Sequence, residues 1–238
     1  MMQSLPSGYR ALVLGASGAI GSALVAALQA DPGCGGVVGL SRQRGAAGEP
    51  AIDLTDPDSL AAAAAALRPQ APFHLVVCAT GALHLGERGP EKRLAELDAA
   101  TLARAFAINA TGPALVIQQF HDLLPLRERA LLAVLSARVG SIGDNRKGGW
   151  YSYRASKAAL NMLLRTAAIE VARRRPLAVL AALHPGTVAS RLSAPIIGDA
   201  EAATPEQAAR NLLAVLDGLP AEGASGGFHA WDGSPIPW

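Results

Sequence analysis

The stretch LSARVGSIGDNRKGGWYSYRASKAAL, Leu135–Leu160, crowds tyrosine, lysine and serine side chains into one short segment. A phenol beside an ammonium is a proton-transfer device. The positive charge favours the phenolate and draws the phenol down from its reference pKa of about 10 towards the neutral range. From Tyr151 onward the residues read as a helix, on which side chains four apart share a face. Lys157 has Tyr153 four residues before it, whereas Tyr151 is out of phase and Lys147 precedes the helix in a glycine-flanked loop. Spacing selects Tyr153 and Lys157. Such pairs also occur on ordinary helices, so the meaning of this one depends on the fold that carries it.

Short apolar runs alternate with helical patterns along the chain. Ala11–Gly15, Gly36–Ser41, Ala51–Leu54, Phe73–Thr80, Ala130–Ser136, Leu177–Gly186 and Gly227–Ala230 read as strands, about seven in all. Helices are expected over Gly18–Asp31, Pro57–Arg68, Asp98–Leu124 with a kink near Gly112-Pro113, Tyr151–Arg174 and Pro205–Leu216. The strands are continuously apolar, which implies burial on both faces. This alternation predicts an α/β fold: a doubly wound parallel sheet with helices on both faces. With no internal repeat and no linker, residues 1–238 read as a single domain.

Composition narrows the function. Half of the 238 residues are hydrophobic and 17% are charged, so a sizeable core is expected rather than disorder. A net charge of +2 gives no reason to expect a nucleic-acid partner, and Arg173–Arg175 sit where a helix should end, complementing its dipole. Cys34 and Cys78 lack CxxC spacing and the five histidines are scattered, which predicts neither a metal site nor a disulfide framework. No apolar leader follows the N-terminus, and no run approaches the ~20 apolar residues of a membrane span. A soluble cytoplasmic protein is the expectation.

The turn after the first strand, LGASGAIGSAL (Leu14–Leu24), opens the first helix. Gly15, Gly18 and Gly21 let the backbone turn sharply and approach a ligand, and the helix N-terminus offers free N–H groups to a pyrophosphate. The second strand ends in Ser41 and Arg42, with Arg44 nearby and no carboxylate. An acidic residue there would take the ribose hydroxyls, whereas Arg42 suits a 2′-phosphate, so NADP(H) is favoured over NAD(H). The plainer alternative is that Arg42 is a solvated loop residue. Asp53, with Leu54 after it, is placed to accept a hydrogen bond from an adenine amine, or else only caps a turn.

With these residues assembled, the chain resembles the short-chain dehydrogenase/reductase family over nearly its whole length. The resemblance rests on Gly15, Ser17, Gly18, Ile20 and Gly21, on Asp53, Gly81 and Asn109, on Tyr153 and Lys157, and on HPGTVASRLS (His184–Ser193). GPEKRLAELD (Gly89–Asp98) and GSPIPW (Gly233–Trp238) look like the C-factor-like subgroup. It implies a Rossmann fold and a hydride transfer between a nicotinamide and a carbonyl or alcohol. Tyr153 would be the general acid/base. Lys157 would lower its pKa and hold the nicotinamide ribose, and Asn109 would organise a water linking the lysine to solvent. Ala79, Thr80 and Gly81, and then Pro185, Gly186, Thr187 and Val188, would flank the cofactor. Residues from Ser190 to about Thr204 would form a lid over the substrate.

Three positions depart from the family pattern. Ala19 stands where a middle glycine is usual. Cys78 and Ala79 replace two asparagines. Ala137 stands where a serine normally orients the substrate carbonyl, which leaves Ser136, Ser141 or a water as stand-ins. The leading expectation is an NADP(H)-dependent carbonyl reductase or alcohol dehydrogenase acting on a small apolar or aromatic substrate. Ala137 keeps open a second one, a cofactor-binding regulatory or signalling protein with weak or no turnover. No Gly-x-Ser-x-Gly elbow supports a hydrolase. The two long alanine-rich helices suggest pairing across a two-fold axis, as a homodimer or homotetramer.

Overall fold

The computed structural model describes residues 2–238 apart from 44, 46–47, 86–88, 191, 195–201 and 221. Strands β1 (Tyr9–Leu14), β2 (Cys34–Leu40), β3 (Leu75–Cys78), β4 (Ala130–Leu135), β5 (Ala178–His184) and β6 (Gly227–Ala230) form one sheet in the order β2-β1-β3-β4-β5-β6. Every neighbouring pair is parallel. The helices are α1 (Ala19–Gln29), α2 (Pro57–Leu67), α3 (Ala99–Phe106), α4 (Gly112–Phe120), α5 (Tyr151–Arg174) and α6 (Pro205–Gly218).

Period-two alternation along each strand sends side chains to two core layers. Leu12 and Leu14 of β1 and Leu132 and Val134 of β4 pack with Leu60 of α2, Phe120 of α4 and Leu160 and Leu164 of α5. Their neighbours Ala11, Val13, Leu131 and Ala133 pack with Leu24 and Leu28 of α1 and Leu212 and Leu216 of α6. This is why the strands read as unbroken apolar runs: both faces are covered.

The described sheet has six strands, one fewer than the sequence suggests. Ala51–Leu54 forms none. The N–H of Ile52 goes to the carbonyl of Ser41 at 2.8 Å, and that of Asp53 to Ser59 Oγ at 2.9 Å. Its donors are thus spent on the end of β2 and the start of α2 rather than on a ladder. Only Ile52 enters the core.

The helix expected over Asp98–Leu124 is interrupted where the site needs it. Between α3 and α4, Ala107–Thr111 form a π-turn, closed by the Gly112 N–H reaching the carbonyl of Ala107 five residues back. Pro113 has no N–H to return to the carbonyl of Asn109 four residues earlier, which disfavours a regular α-turn there. A Cβ on Gly112 would lie 2.8 Å from the carbonyl oxygen of Leu54, so only glycine fits. Contrary to the sequence expectation, the run Ala99–Leu123 is long and apolar enough by composition to cross a membrane. Its Ala105, Ala110, Val116, Ile117 and Phe120 are buried in the protein.

Asp31, just past α1, fastens the N-terminal segment. Its carboxylate accepts from the Met2 N–H, the Tyr9 hydroxyl and the Gly33 N–H, each at 2.9 Å. Burial alone would raise its pKa, but these donors hold it below the ordinary aspartate range.

Candidate active site

The loops that leave the C-terminal ends of β1, β3, β4 and β5 enclose a cleft of about 1600 Å³. It lies where the chain switches direction, since β1 has β2 on one side and β3 on the other. Open α/β sheets bind ligands at such a point.

The first wall is the β1–α1 turn. Gly15 has φ 89°, and a Cβ on it would lie 2.9 Å from the carbonyl oxygen of Ala79 and from Thr80 Cγ2. A Cβ on Gly21 would lie 2.1 Å from the Gly15 carbonyl oxygen. These glycines do not line the cleft; they let the turn fold tightly enough to present Ser17, Gly18, Ala19 and Ile20, which do. α2, α3 and α6 are capped by Asp56, Asp98 and Thr204, but α1 has no side-chain cap. Its first N–H groups are therefore left to an anion. A dinucleotide pyrophosphate fits this cradle.

At the far end of that wall Arg42 lines the cleft, whereas Ser41, Asp53 and Leu54 do not. The Ser41 hydroxyl is turned back onto the Gln43 backbone. Asp53 accepts from the Thr55 hydroxyl at 2.7 Å and its N–H at 2.8 Å. Those bonds, then the nearby Arg42 charge, hold its carboxyl below the usual range. Arg44 lies outside the described residues.

The second wall is the N-terminal end of α5. Gly148, Gly149 and Trp150 take positive φ in succession, 64°, 64° and 53°, and swing the chain into the helix. Glu91 anchors this strained entry: its carbonyl accepts the Trp150 N–H, and its carboxylate accepts the Ser152 N–H and hydroxyl. Tyr153 then faces the cleft with Trp150 edge-on, ring centroids 6.3 Å apart. Lys157, one turn on, is 2% exposed and donates from Nζ to the Leu135 carbonyl at 2.8 Å. Its Nζ lies 5.9 Å from the Tyr153 ring centroid.

Burial pushes the Lys157 ammonium down to about 8 and the Tyr153 phenol up to about 12. The lowered phenol pKa expected from the sequence is not what the fold presents: desolvation of the ring outweighs the lysine, whose charge is directed at Leu135. Tyr153 thus holds its proton firmly at neutral pH.

Asn109, on the π-turn, is fully buried and clamps the β3 loop to α5. Its amide exchanges two 2.8 Å hydrogen bonds with the Ala82 backbone, and Nδ2 also donates to Ser156 Oγ at 3.3 Å. Ser156 in turn donates to the Tyr153 carbonyl. Gly81 leaves room between Lys157 Nζ and Asn109 Oδ1, which a Cβ would approach to 3.4 and 3.6 Å. Ala79, Thr80 and Gly81 all line the cleft.

The serine question resolves unevenly. Ser136 reaches the cleft, but its hydroxyl is committed to Asn161 Oδ1 at 2.7 Å. Ser141 is buried, accepts the Asp144 N–H at 3.1 Å, and does not line the cleft. Ala137 faces the cleft at the serine position.

Pro185, Gly186, Thr187 and Val188 close the cleft beyond β5. Gly186, at φ 78°, packs so tightly under Trp231 that a Cβ would lie 2.9 Å from its ring. Val188 pairs with Ala203, which ties the two ends of the expected lid. Within that lid, residues 191 and 195–201 lie outside the described residues. His184, at the head of the motif read from the sequence, lines the cleft, as do Arg146 and Trp150 of the loop before α5; Arg138 and Arg154, which the sequence did not point to, line it too, and Glu91 supports it. Burial, then the Arg138 charge, pushes His184 down to about 4.

Comparison with known proteins agrees with this geometry. A family model for short chain dehydrogenase matches residues 9–200. The chain is 37% identical over 195 residues, 80% of each protein, to 1-hydroxy-2-glutathionyl-2-methyl-3-butene dehydrogenase of Rhodococcus sp. (strain AD45). It is 40% identical over 148 residues, 61% of this chain and 83% of the relative, to C-signal of Myxococcus xanthus. The NADPH-bound carbonyl reductase from chicken fatty liver superposes with a TM-score of 0.85 and 26% identity, over 100% of this chain and 96% of that one. The carbonyl reductase Sniffer of D. melanogaster, 22% identical over 97% of this chain and 99% of its own, shares the fold with a TM-score of 0.81. The chain belongs to the short-chain dehydrogenase family and is one of its C-factor-like members.

Proposed function

We propose that residues 1–238 act as one NADP(H)-dependent oxidoreductase domain that interconverts a carbonyl and an alcohol. The observation that carries this reading is the convergence of Tyr153 and Lys157 on the same cleft as the uncapped α1 N-terminus. A bound nicotinamide supplies or accepts the hydride. In reduction Tyr153 gives its phenolic proton to the carbonyl oxygen, completing the alcohol, and is reprotonated from solvent. In oxidation the proton runs the other way. Lys157 stabilises the negative charge that passes through the phenol. Asn109 positions the Ala82 loop against Tyr153 and Lys157.

Arg42 supports NADP(H) over NAD(H): it is the cation at the end of β2, and no acid occupies Ser41 or Arg42. The similar chicken carbonyl reductase binds NADPH. Pro185–Val188 border the nicotinamide end; Asp53 and Leu54, which do not line the cleft, meet the adenine only if the Asp53 carboxylate leaves Thr55. Ser136 or Ser141 supplies the substrate-orienting hydroxyl only if it leaves its present partner; otherwise a water takes that place beside Ala137.

Met162 and Ile169, seven residues apart on one face of α5, and the neighbouring Leu163 leave apolar surface exposed along that helix, which supports a homodimer or homotetramer built on it. The free thiols Cys34 and Cys78 fit the reducing cytoplasm.

A second reading is a cofactor-binding signalling protein with little turnover. Ala137 and the similarity to C-signal favour it. Loss of NADPH absorbance with a panel of aldehydes and ketones separates the two. Turnover supports the oxidoreductase; NADPH binding without turnover supports the signalling protein.

A further inference from the structure

The wall between the end of β4 and the start of α5 carries four cations: Arg138, Arg146, Lys147 and Arg154. Among the described residues one carboxylate accompanies them in the cleft lining, that of Asp144. Asp144 lies 3.6 Å from Arg138 Nη1, and its charge also reaches Arg154. Glu91, the other acid nearby, is buried and engaged by Ser152. Arg154 is held in place without an ion pair among the described residues. Its Nε donates to the carbonyls of Gly148 and Gly149 at 3.2 and 2.9 Å, and its Nη1 to that of Val139 at 3.3 Å. Arg154 follows Tyr153 in the chain and lines the same cleft. A half-buried guanidinium fixed by neutral carbonyls is a site that an anion completes.

This positive wall is separate from the one that would meet the cofactor. Arg42 and the N-terminus of α1 lie at the β2–β1 end of the sheet. Arg138 acts electrostatically on His184 at the end of β5 and on Asp232 beyond β6, at the opposite end. Trp150, on the cationic wall, adds an aromatic face beside Tyr153.

We infer that the substrate is an anionic carbonyl or alcohol, whose carboxylate is held by Arg154 and its cationic neighbours while its carbon skeleton lies against Trp150. The inference rests on the reading of the cleft as a carbonyl–alcohol site and replaces a purely apolar substrate with a charged one. Arg154 is then a specificity-determining residue.

The test compares terephthalaldehydate and adipate semialdehyde with their methyl esters, using NADPH. Wild type is expected to favour the carboxylates by about tenfold or more in kcat/KM, mainly through KM, the size of a charge-assisted hydrogen bond. The preference should shrink as salt is added. Arg154→Gln should bring the ratio close to one, and Arg154→Lys should keep part of it. If Arg154 only braces the loop, acid and ester fall together and the ratio stays. A parallel titration of benzoate and benzamide into protein saturated with NADP⁺ reads the same preference without turnover. Equal handling of acid and ester by wild type, or a ratio unchanged in Arg154→Gln, overturns the inference. If no aldehyde is reduced, the carbonyl reading fails, and the benzoate–benzamide titration alone decides the charge preference.

Discussion

The Lys157 ammonium donates to the carbonyl of Leu135, the last residue of β4, across 2.8 Å. That bond ties the helix bearing Tyr153 to the C-terminal end of an interior strand, and it places a charge in the core. Burial lowers the lysine to about 8.

A pH profile follows. In the proposed reaction, reduction needs a protonated Tyr153 and a charged Lys157. With the phenol near 12 and the lysine near 8, kcat/KM for carbonyl reduction should be flat around neutrality and fall about tenfold per pH unit above 8. Lys157→Arg should retain some activity and lose that alkaline limb. A wild-type profile still flat two units above the lysine value would contradict the assignment.

The same charge should cost stability. The folded-state pKa of about 8 lies below the ordinary lysine value of 10.5, so the unfolded chain binds more protons between those values and stability rises with pH across that window. At neutral pH Lys157→Met should stabilise the protein by on the order of 1–3 kcal/mol, less whatever the orphaned Leu135 carbonyl costs, while abolishing turnover. Urea unfolding at two pH values checks both sign and window; a destabilised variant would show that the Leu135 bond outweighs the burial.

In the proposed site Ala137 takes the position of the hydroxyl that would meet the substrate carbonyl. Ala137→Ser should therefore raise kcat by roughly tenfold to a hundredfold, the worth of one oriented donor. Ser136→Ala should lower stability more than kcat, because its hydroxyl bonds to Asn161. No gain in Ala137→Ser, together with a large kcat loss in Ser141→Ala, would show that Ser141 already supplies the group.

Arg42 should discriminate cofactors. Arg42→Ala is expected to weaken NADPH binding by about tenfold to a hundredfold and to leave NADH nearly unchanged, since only the former offers a 2′-phosphate. Tighter binding of NADH than NADPH by wild type, unaltered in the variant, would refute the preference.

Asp31 provides a test away from the site. Its carboxylate takes three donors, so Asp31→Ala should cost about 2–4 kcal/mol. Its folded pKa lies below 3.8, so this stability is present above that value and is lost as the pH falls through the folded pKa. Acid titration of thermal unfolding in wild type and variant should converge there.

The sheet and its helices were legible because both-face burial writes continuous apolar strands and 3.6-residue periodicity writes helices. Tyr151–Arg174 and Gly227–Ala230 have the bounds read from sequence. Ala51–Leu54 misled because a short apolar run around one buried Ile52 says nothing about where its N–H groups go. The π-turn was visible only as a kink at Gly112-Pro113, because the close approach of Leu54 that requires glycine at 112 exists only in the folded chain. Tyr153 and Lys157 were found by phase, but their protonation was not, because burial is a property of the assembled fold. The cationic wall was missed because Arg138, Arg146, Lys147 and Arg154 are spread over one loop and one helix turn. No charge run marks them until the chain folds them around the cleft.

The most direct test is Tyr153→Phe, which removes one oxygen from the cleft and keeps the ring against Trp150. With NADPH and an aldehyde that wild type reduces, kcat should fall by about 10²–10⁴-fold, with NADPH binding and thermal stability close to wild type. Turnover undiminished in Tyr153→Phe would contradict the assignment of Tyr153 as the acid/base and, with it, the account of this cleft.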